Sequence, residues 1–354
     1  MKYNIIILCT ERLGGTKTFL FNQAVYLKNQ GHNVDLFCNK ISKYEKKIKS
    51  NFLKIREFKN LLKTKEISLF LNLFVKKQGK KIILLTNPYL LISQFIFFNK
   101  VKNEGIKIIL SLHSGILEMS LKRFLGGLMI SFLIFNKIDL IYGSDYAKKS
   151  WVKFFPWMKL KKSRIVLNGI VLKNKNKNKR KRKNFVVGFV GRYAKEKNPI
   201  LFGDTAVYAS NQKNNFQFKM FGNGIMTPTI NNRFKKFVKV FGWTRQEYIY
   251  NNINVLLVTS PEENYPYSVL EAKSYGVPTI YTSKGDIKKI ISNGKDGIYC
   301  KSSNPKDILR LIGIVEKKYS FFVKNCNKNI KKFKLEKSCK LFWKNHIDAK
   351  YNNR

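Results

Sequence analysis

Acid is what this 354-residue sequence is short of: Asp and Glu total 21 against 69 Lys and Arg, a formal charge of +48. A charge of that sign draws polyanions, either nucleic acid or an anionic membrane surface. An AT-rich genome would write the same Lys, Asn, Ile and Phe bias, and the charge itself says nothing about catalysis. Histidine is scarce too, with only His32, His113 and His346. The five cysteines, Cys9, Cys38, Cys300, Cys326 and Cys339, show no metal-ligand spacing. Their odd number and the lack of a secretory signal argue for a reducing cytosol. Cys9, Cys38 and Cys300 fall in or beside apolar runs and are expected in the core. No apolar run reaches the roughly 20 residues that a bilayer-crossing helix needs. Ile82–Phe98 is broken by Asn87-Pro88, and Phe124–Phe135 is too short. Both are read as buried core or peripheral contact, and no transmembrane helix is expected. The opening MKYNIIILCTERLGG reads as a first strand rather than a signal peptide.

What the sequence does hold is a repeated alternation of buried strand and helix over a length that suits two domains. Tyr3–Cys9 and Val34–Cys38 are apolar runs on either side of a helical pattern, Thr16–Gln30, with Gly14-Gly15 in the turn between. Ile106–Leu112 ends in His113-Ser114-Gly115, and Ile138–Tyr142 precedes a Ser144 suited to capping a helix. Ile41 to Lys81 is lysine-rich, and Ile48, Phe52, Ile55 and Leu62 share roughly one helical face. That segment reads either as a surface helix packed on a sheet or as a basic amphipathic segment for anionic lipid. The run Lys173–Lys183, KNKNKNKRKRK, has no aromatic residue for stacking bases. It reads as a solvated linker and not as a nucleic-acid element.

Beyond the linker, strands are expected at Phe185–Val190, Phe216–Phe221, Val238–Phe241 and Asn254–Thr259. Thr244 and Glu247 have the spacing of a capping box. The densest stretch is Pro261–Thr282, PEENYPYSVLEAKSYGVPTIYT. Pro261 ends a strand, Pro266 suits a helix start, and Gly276 closes that helix after Tyr275. Glu263 on the loop and Glu271 in the helix bracket a helix N-terminus, a natural seat for an anion. Taken alone, the two carboxylates fit a solvated helix junction as well as a ligand site.

Glu263-x7-Glu271, with Tyr265-Pro266 inside and Gly276-Val277-Pro278 after, resembles the signature of retaining glycosyltransferases of GT-B fold, family four (glycosyl transferases group 1). Gly14-Gly15, Gly31-His32, Leu112-His113-Ser114-Gly115 and Gly191-Arg192-x4-Lys197 resemble the same family, so the likeness spans nearly the whole chain. It implies roles residue by residue. Arg192, Lys197, Gly15 and the N–H groups of Tyr267 and Ser268 would hold the donor diphosphate. Glu271 would hold the ribose, Trp243 and Thr244 would flank the base, and His113 and Glu263 would act at the transferred sugar. The chain departs from the family at Val171, where an Asp is usual. It departs again at Lys284 and Lys288, where a Gly-Gly and a Glu are usual.

The resemblance therefore implies an α/β chain of GT-B fold, two Rossmann-like domains facing a cleft. Residues 1–172 form the acceptor side and 173–183 the basic linker. Residues 184–330 form the donor side, and 331–354 end in a helix around Lys340–Lys350 that crosses back to the first domain. The reaction is transfer of a sugar from a nucleotide-diphospho-sugar, the co-substrate, to a glycan or lipid-linked acceptor. Bacterial surface polysaccharide or lipopolysaccharide synthesis is the expected setting. No Asp-x-Asp occurs, which disfavours the metal-dependent class of such enzymes, and neither metal nor further cofactor is expected. The location is cytoplasmic, on or near the inner face of an anionic membrane, with no nucleic-acid partner. Two alternatives stand: a nucleotide-sugar epimerase on the same fold, and a non-catalytic basic protein that binds membrane or nucleic acid.

Overall fold

The computed structural model describes residues 2–10, 14–39, 54–58, 66–95, 97–99, 104–116, 121–135, 137–172 and 184–347. They form two compact units, residues 1–168 with 336–354, and residues 169–335. The basic run Lys173–Lys183 lies outside the described residues.

The first unit is built on β1 (Asn4–Cys9), β2 (Asn33–Asn39), β3 (Lys54–Phe58), β4 (Lys81–Leu85), β5 (Lys107–Leu112), β6 (Ile138–Tyr142) and β7 (Ser163–Ile165). They make one sheet in the order β3-β2-β1-β4-β5-β6-β7, parallel at every pairing. The helices are α1 (Gly15–Asn29), α2 (Glu66–Val75), α3 (Tyr89–Ser93), α4 (Leu121–Leu133) and α5 (Asp145–Phe154). Strands covered on both faces must be apolar throughout, and Ile5 to Cys9 are each no more than 1% exposed. Ser144 caps α5 as its sequence suggests, its side chain accepting from the N–H of Ala147.

The second unit repeats the plan. Its strands are β8 (Val186–Val190), β9 (Gln217–Phe221), β10 (Val238–Phe241), β11 (Val255–Val258), β13 (Thr279–Tyr281) and β15 (Gly297–Tyr299), with a short pair β12 (Glu262–Glu263) and β14 (Lys284–Gly285) beside them. The six-stranded sheet runs β10-β9-β8-β11-β13-β15 and is again parallel. The helices are α6 (Pro199–Asn211), α7 (Thr227–Phe234), α8 (Gln246–Asn251), α9 (Tyr267–Ser274), α10 (Pro305–Lys317) and α11 (Tyr319–Asn329). In both sheets the chain starts in the middle, builds to one edge, then returns and builds to the other. That order places a topological switch point between β1 and β4 and another between β8 and β11, where doubly wound folds bind ligands.

The last helix, α12 (Leu335–Trp343), starts and ends earlier than the expected Lys340–Lys350. Side-chain anchors fix it where it is. Ser338 Oγ donates to the Leu167 carbonyl at 2.6 Å, and Trp343 Nε1 donates to Gln23 Oε1 at 2.7 Å. Arg164 donates to the carbonyls of Leu341 and Phe342, and Phe342 packs edge-on against Phe19.

Lys54–Phe58 also departs from the sequence reading. It is not part of a helix carrying Ile55 on its apolar face; it pairs with β2 from Asp35 opposite Lys54 to Asn39 opposite Phe58. Phe58 packs on Phe37, and Arg56 lies over the Phe70 ring at 4.7 Å. Burying Phe58 against the sheet decides the strand, and charges at an edge are how edges resist mispairing. The rest of Ile41–Lys65 lies outside the described residues.

Candidate functional site

In the second unit the loops after β8 and β11 leave neighbouring strands at the switch point. The β8 loop carries Arg192 and a short turn, Lys195–Lys197. Asn198 then takes the left-handed conformation, φ 44° and ψ 57°, and its side chain caps α6 through the N–H of Leu201. Asn tolerates that conformation better than most residues. Thr259, just past β11, ties the two loops together by donating to the carbonyls of Lys197 (3.1 Å) and Asn198 (2.8 Å). Gly222 lets the next loop close on them: a Cβ there would stand 1.9 Å from the Gly191 carbonyl oxygen.

Lys197 Nζ thereby meets Glu263 Oε1 at 2.6 Å, and Ser260 Oγ donates to the same oxygen at 2.7 Å. Glu263 is buried, and the ammonium and hydroxyl supply the donors a buried carboxylate requires. Its backbone is fixed by β12–β14 pairing, Glu262 opposite Lys284 and Glu263 opposite Gly285. Ser283 Oγ donates to the Ser260 carbonyl at 2.6 Å, closing the floor. Lys284 and Lys288, which depart from the family pattern, are both exposed. The position that matters is Gly285, where φ is +103° and a Cβ would come 2.3 Å from the Glu263 carbonyl oxygen.

The other expected residues of this unit are held differently. Arg192 is exposed and paired with Glu196 at 2.9 Å. Glu271, in α9, accepts at Oε2 from the Tyr250 hydroxyl at 2.9 Å. Tyr250 is fully buried, and burial with the Glu271 charge pushes its hydroxyl pKa well up, so it stays a donor. Helix α9 begins at Tyr267 with Pro266 at the cap, so Tyr267 and Ser268 supply its first N–H groups. Gly276, with φ 69°, ends it as expected. Trp243 is 54% exposed. Thr244 does not form the expected capping box. Its hydroxyl donates to the Gly242 carbonyl at 3.0 Å, and Arg245 stands at the cap position with no side-chain cap bond. Short-range bonding back to its own turn satisfies the hydroxyl before the helix can use it.

In the first unit Gly15 opens α1, exposed, directly after β1 and its loop. His113 follows β5. Its Nε2 lies 3.0 Å from Ser111 Oγ, and its ring is 4.1 Å from that of Phe19. Burial lowers its pKa to about 4, so the imidazole is neutral near pH 7.

Ser260 and Tyr250 are the site residues that sequence reasoning missed. Ser260 sat three residues before Glu263, but a serine at a strand end has many uses. Tyr250 is 21 positions from Glu271 and meets it only because α8 packs beside α9.

Residues 171–333 match the model of the family described as Glycosyl transferases group 1. No curated protein sequence matches the chain. Among solved structures it is similar to Anabaena HepE in complex with UDP-glucose, at 13% identity and TM-score 0.79 over 96% of this chain and 98% of that one. It is also similar to a glycosyltransferase from Rickettsia africae, at 14% identity and TM-score 0.76 over 97% of both chains. WaaB, a lipopolysaccharide outer core galactosyltransferase, is 17% identical with TM-score 0.67 over 97% of this chain and 98% of that one. At these identities the likeness to the solved structures is one of fold. The match covers nearly all of the second unit, so it is that unit which resembles glycosyl transferases group 1, and the chain as a whole has the GT-B fold of those solved glycosyltransferases.

Proposed function

We propose that the protein moves a sugar, with retention of anomeric configuration, from a nucleoside-diphosphate sugar to a glycan or lipid-linked acceptor of a bacterial surface polysaccharide. The observation that carries this reading is the Lys197–Glu263–Ser260 cluster at the switch point of the second unit. It sets a cation and a carboxylate side by side, a pairing that would suit the junction of a diphosphate with a sugar. Lys197 and Arg192 would hold the diphosphate, Lys197 as a point charge and Arg192 through a fork that suits two oxygens. The first N–H groups of α9, at Tyr267 and Ser268, would add donors that complement negative charge. As the glycosidic bond breaks, charge grows on the departing diphosphate, and these groups would stabilise it without reorganising. Glu263 would meet hydroxyls of the sugar and favour positive character at its anomeric carbon. Glu271 would accept from the ribose hydroxyls, with Tyr250 holding its other oxygen. Trp243 and Thr244 would border the base. By their places in the family pattern, Gly15 is assigned to the diphosphate and His113 to the transferred sugar. The scheme routes no step through a metal ion.

HepE is solved with UDP-glucose, and WaaB is a lipopolysaccharide outer core galactosyltransferase. Uridine-diphosphate hexoses are therefore the first donors to try. Purified protein is incubated with a panel of nucleotide sugars, and release of nucleoside diphosphate is followed with and without lipid-linked acceptor. Turnover of one donor, with an axial or equatorial product matching that donor by NMR, is the expected result. Binding of no nucleoside diphosphate and turnover of no donor would refute the reading.

A further inference from the structure

Donor chemistry makes no use of one exposed apolar surface of the first unit. Helix α4 buries Ile130, and Ile134 just past its end, at 0% exposure, while Leu125, Met129 and Phe132 stand 52%, 54% and 60% exposed. Their spacing of four and three residues puts them on one stripe of the helix. Neighbouring elements widen it. The Phe132 ring stacks on Trp157 with centroids 5.4 Å apart and planes 16° from parallel. Trp157 is held there by its indole N–H, which donates to Ser131 Oγ at 3.1 Å. Tyr89 lies across Gly126 on the same helix, and Leu160 ends the turn that carries Trp157 at 74% exposure. Large exposed apolar side chains clustered in this way are the usual mark of an interaction face.

The charge around it selects the partner. From Met119 to Lys162 the sequence has nine Lys and Arg against two Asp. Lys153, Lys159 and Lys162 are exposed on the segments flanking Trp157. A second copy of the chain would bring the same positive rim, and the same +48, against itself. An anionic bilayer complements both parts of the surface. Lysines meet the headgroups, a Trp and a Tyr sit at the interface, and Leu, Met and Phe enter the acyl boundary. Among the described residues no helix is long and apolar enough to cross a membrane, so this contact would be made from one side.

We propose that α4, with Trp157 and the lysines beside it, is a docking face for an anionic lipid bilayer. The assignment is independent of the transfer reaction, and it lies apart from Ile41–Lys81, the segment for which the sequence leaves a lipid contact open.

The test uses the full chain without donor. Vesicles of phosphatidylcholine, with or without phosphatidylglycerol, are sedimented with wild type and with the triple variant Leu125→Gln, Met129→Gln, Phe132→Gln. Wild type should bind only the phosphatidylglycerol vesicles, and the triple variant should bind them at least tenfold more weakly with an unchanged thermal midpoint. With brominated lipid, wild-type tryptophan fluorescence should be quenched, and Trp157→Phe should lose most of that quenching although Trp151, Trp243 and Trp343 remain. Equal binding by wild type and triple variant would overturn the proposal, as would quenching that survives Trp157→Phe. Failure of wild type to bind would overturn it too, as would a concentration-dependent rise in solution mass that the triple variant abolishes.

Discussion

Lys197 Nζ and Glu263 Oε1 lie 2.6 Å apart, joining two loops 66 positions distant in sequence. Each side chain fixes the other: the ammonium is held on the carboxylate, and the carboxylate is aimed by the ammonium and the Ser260 hydroxyl. On the proposed reading, a donor entering here would meet a preorganised charge pair and not two mobile side chains.

Removing one partner strands the other. Lys197→Ala leaves buried Glu263 with the Ser260 hydroxyl and should cost about 1–3 kcal/mol of stability. Lys197→Ala/Glu263→Gln should recover part of that loss, because the uncompensated charge is gone, yet it should not recover donor turnover. Denaturant melts and steady-state kinetics on the same preparations separate the two effects.

The two glutamates of the Glu263-x7-Glu271 motif should fail differently. Glu271→Gln, and more mildly Tyr250→Phe, should raise the donor KM with a smaller change in kcat, since ribose contacts act on bound substrate and transition state alike. Glu263→Gln should lower kcat, since its contact strengthens as charge develops at the sugar. Turnover of both carboxylate variants within about twofold of wild type, with folding intact, would leave the motif as a helix cap.

Gly285 should not tolerate a side chain. At φ +103° and with a Cβ 2.3 Å from the Glu263 carbonyl oxygen, Gly285→Ala must open the β12–β14 pair. A loss of about 1–3 kcal/mol is expected, with a fall in kcat, because the same pair fixes Glu263. By contrast Lys284→Gly, at the exposed neighbour, should leave both almost unchanged. Thermal midpoints and turnover of the two variants give the comparison.

Acid should destabilise the protein through its histidines. The pKa of His113 is lowered by burial from 6.5 to about 4. Between those values the unfolded chain binds a proton that the folded chain excludes, so stability rises with pH across that window and levels off above it. His32 and His346 are shifted in the same direction, again first by burial. His113→Gln should therefore make the slope of denaturation midpoint against pH shallower without abolishing it. An unchanged slope would mean that His113 titrates normally.

Much of the fold could be read from the sequence because parallel strands buried on both faces leave uninterrupted apolar runs, as in Ile5–Cys9 and Val255–Val258. The glutamate pair could be read because its two members share one loop–helix junction. The Lys197–Glu263 contact could not, since it depends on β8 and β11 being neighbours in the sheet and not in the chain. Tyr250 was hidden because it meets Glu271 only through the packing of α8 beside α9. Strand β3 was missed because its lysine, arginine and glutamate mask the two apolar residues that hold it to the sheet. Thr244 has a cap's spacing, but its hydroxyl is satisfied within its own turn.

Calorimetric titration of UDP into wild type, Lys197→Ala and Arg192→Ala tests the central assignment most directly. Arg192 is an exposed loop residue whose ion pair with Glu196, four positions on, is half in solvent, so its loss should change stability by no more than about 0.5 kcal/mol. Contacts from a charged group to a diphosphate are worth about 1.5–3 kcal/mol, so each substitution should weaken UDP binding by roughly tenfold or more. Equal UDP affinity in all three folded proteins would contradict the placing of the donor diphosphate at this cluster.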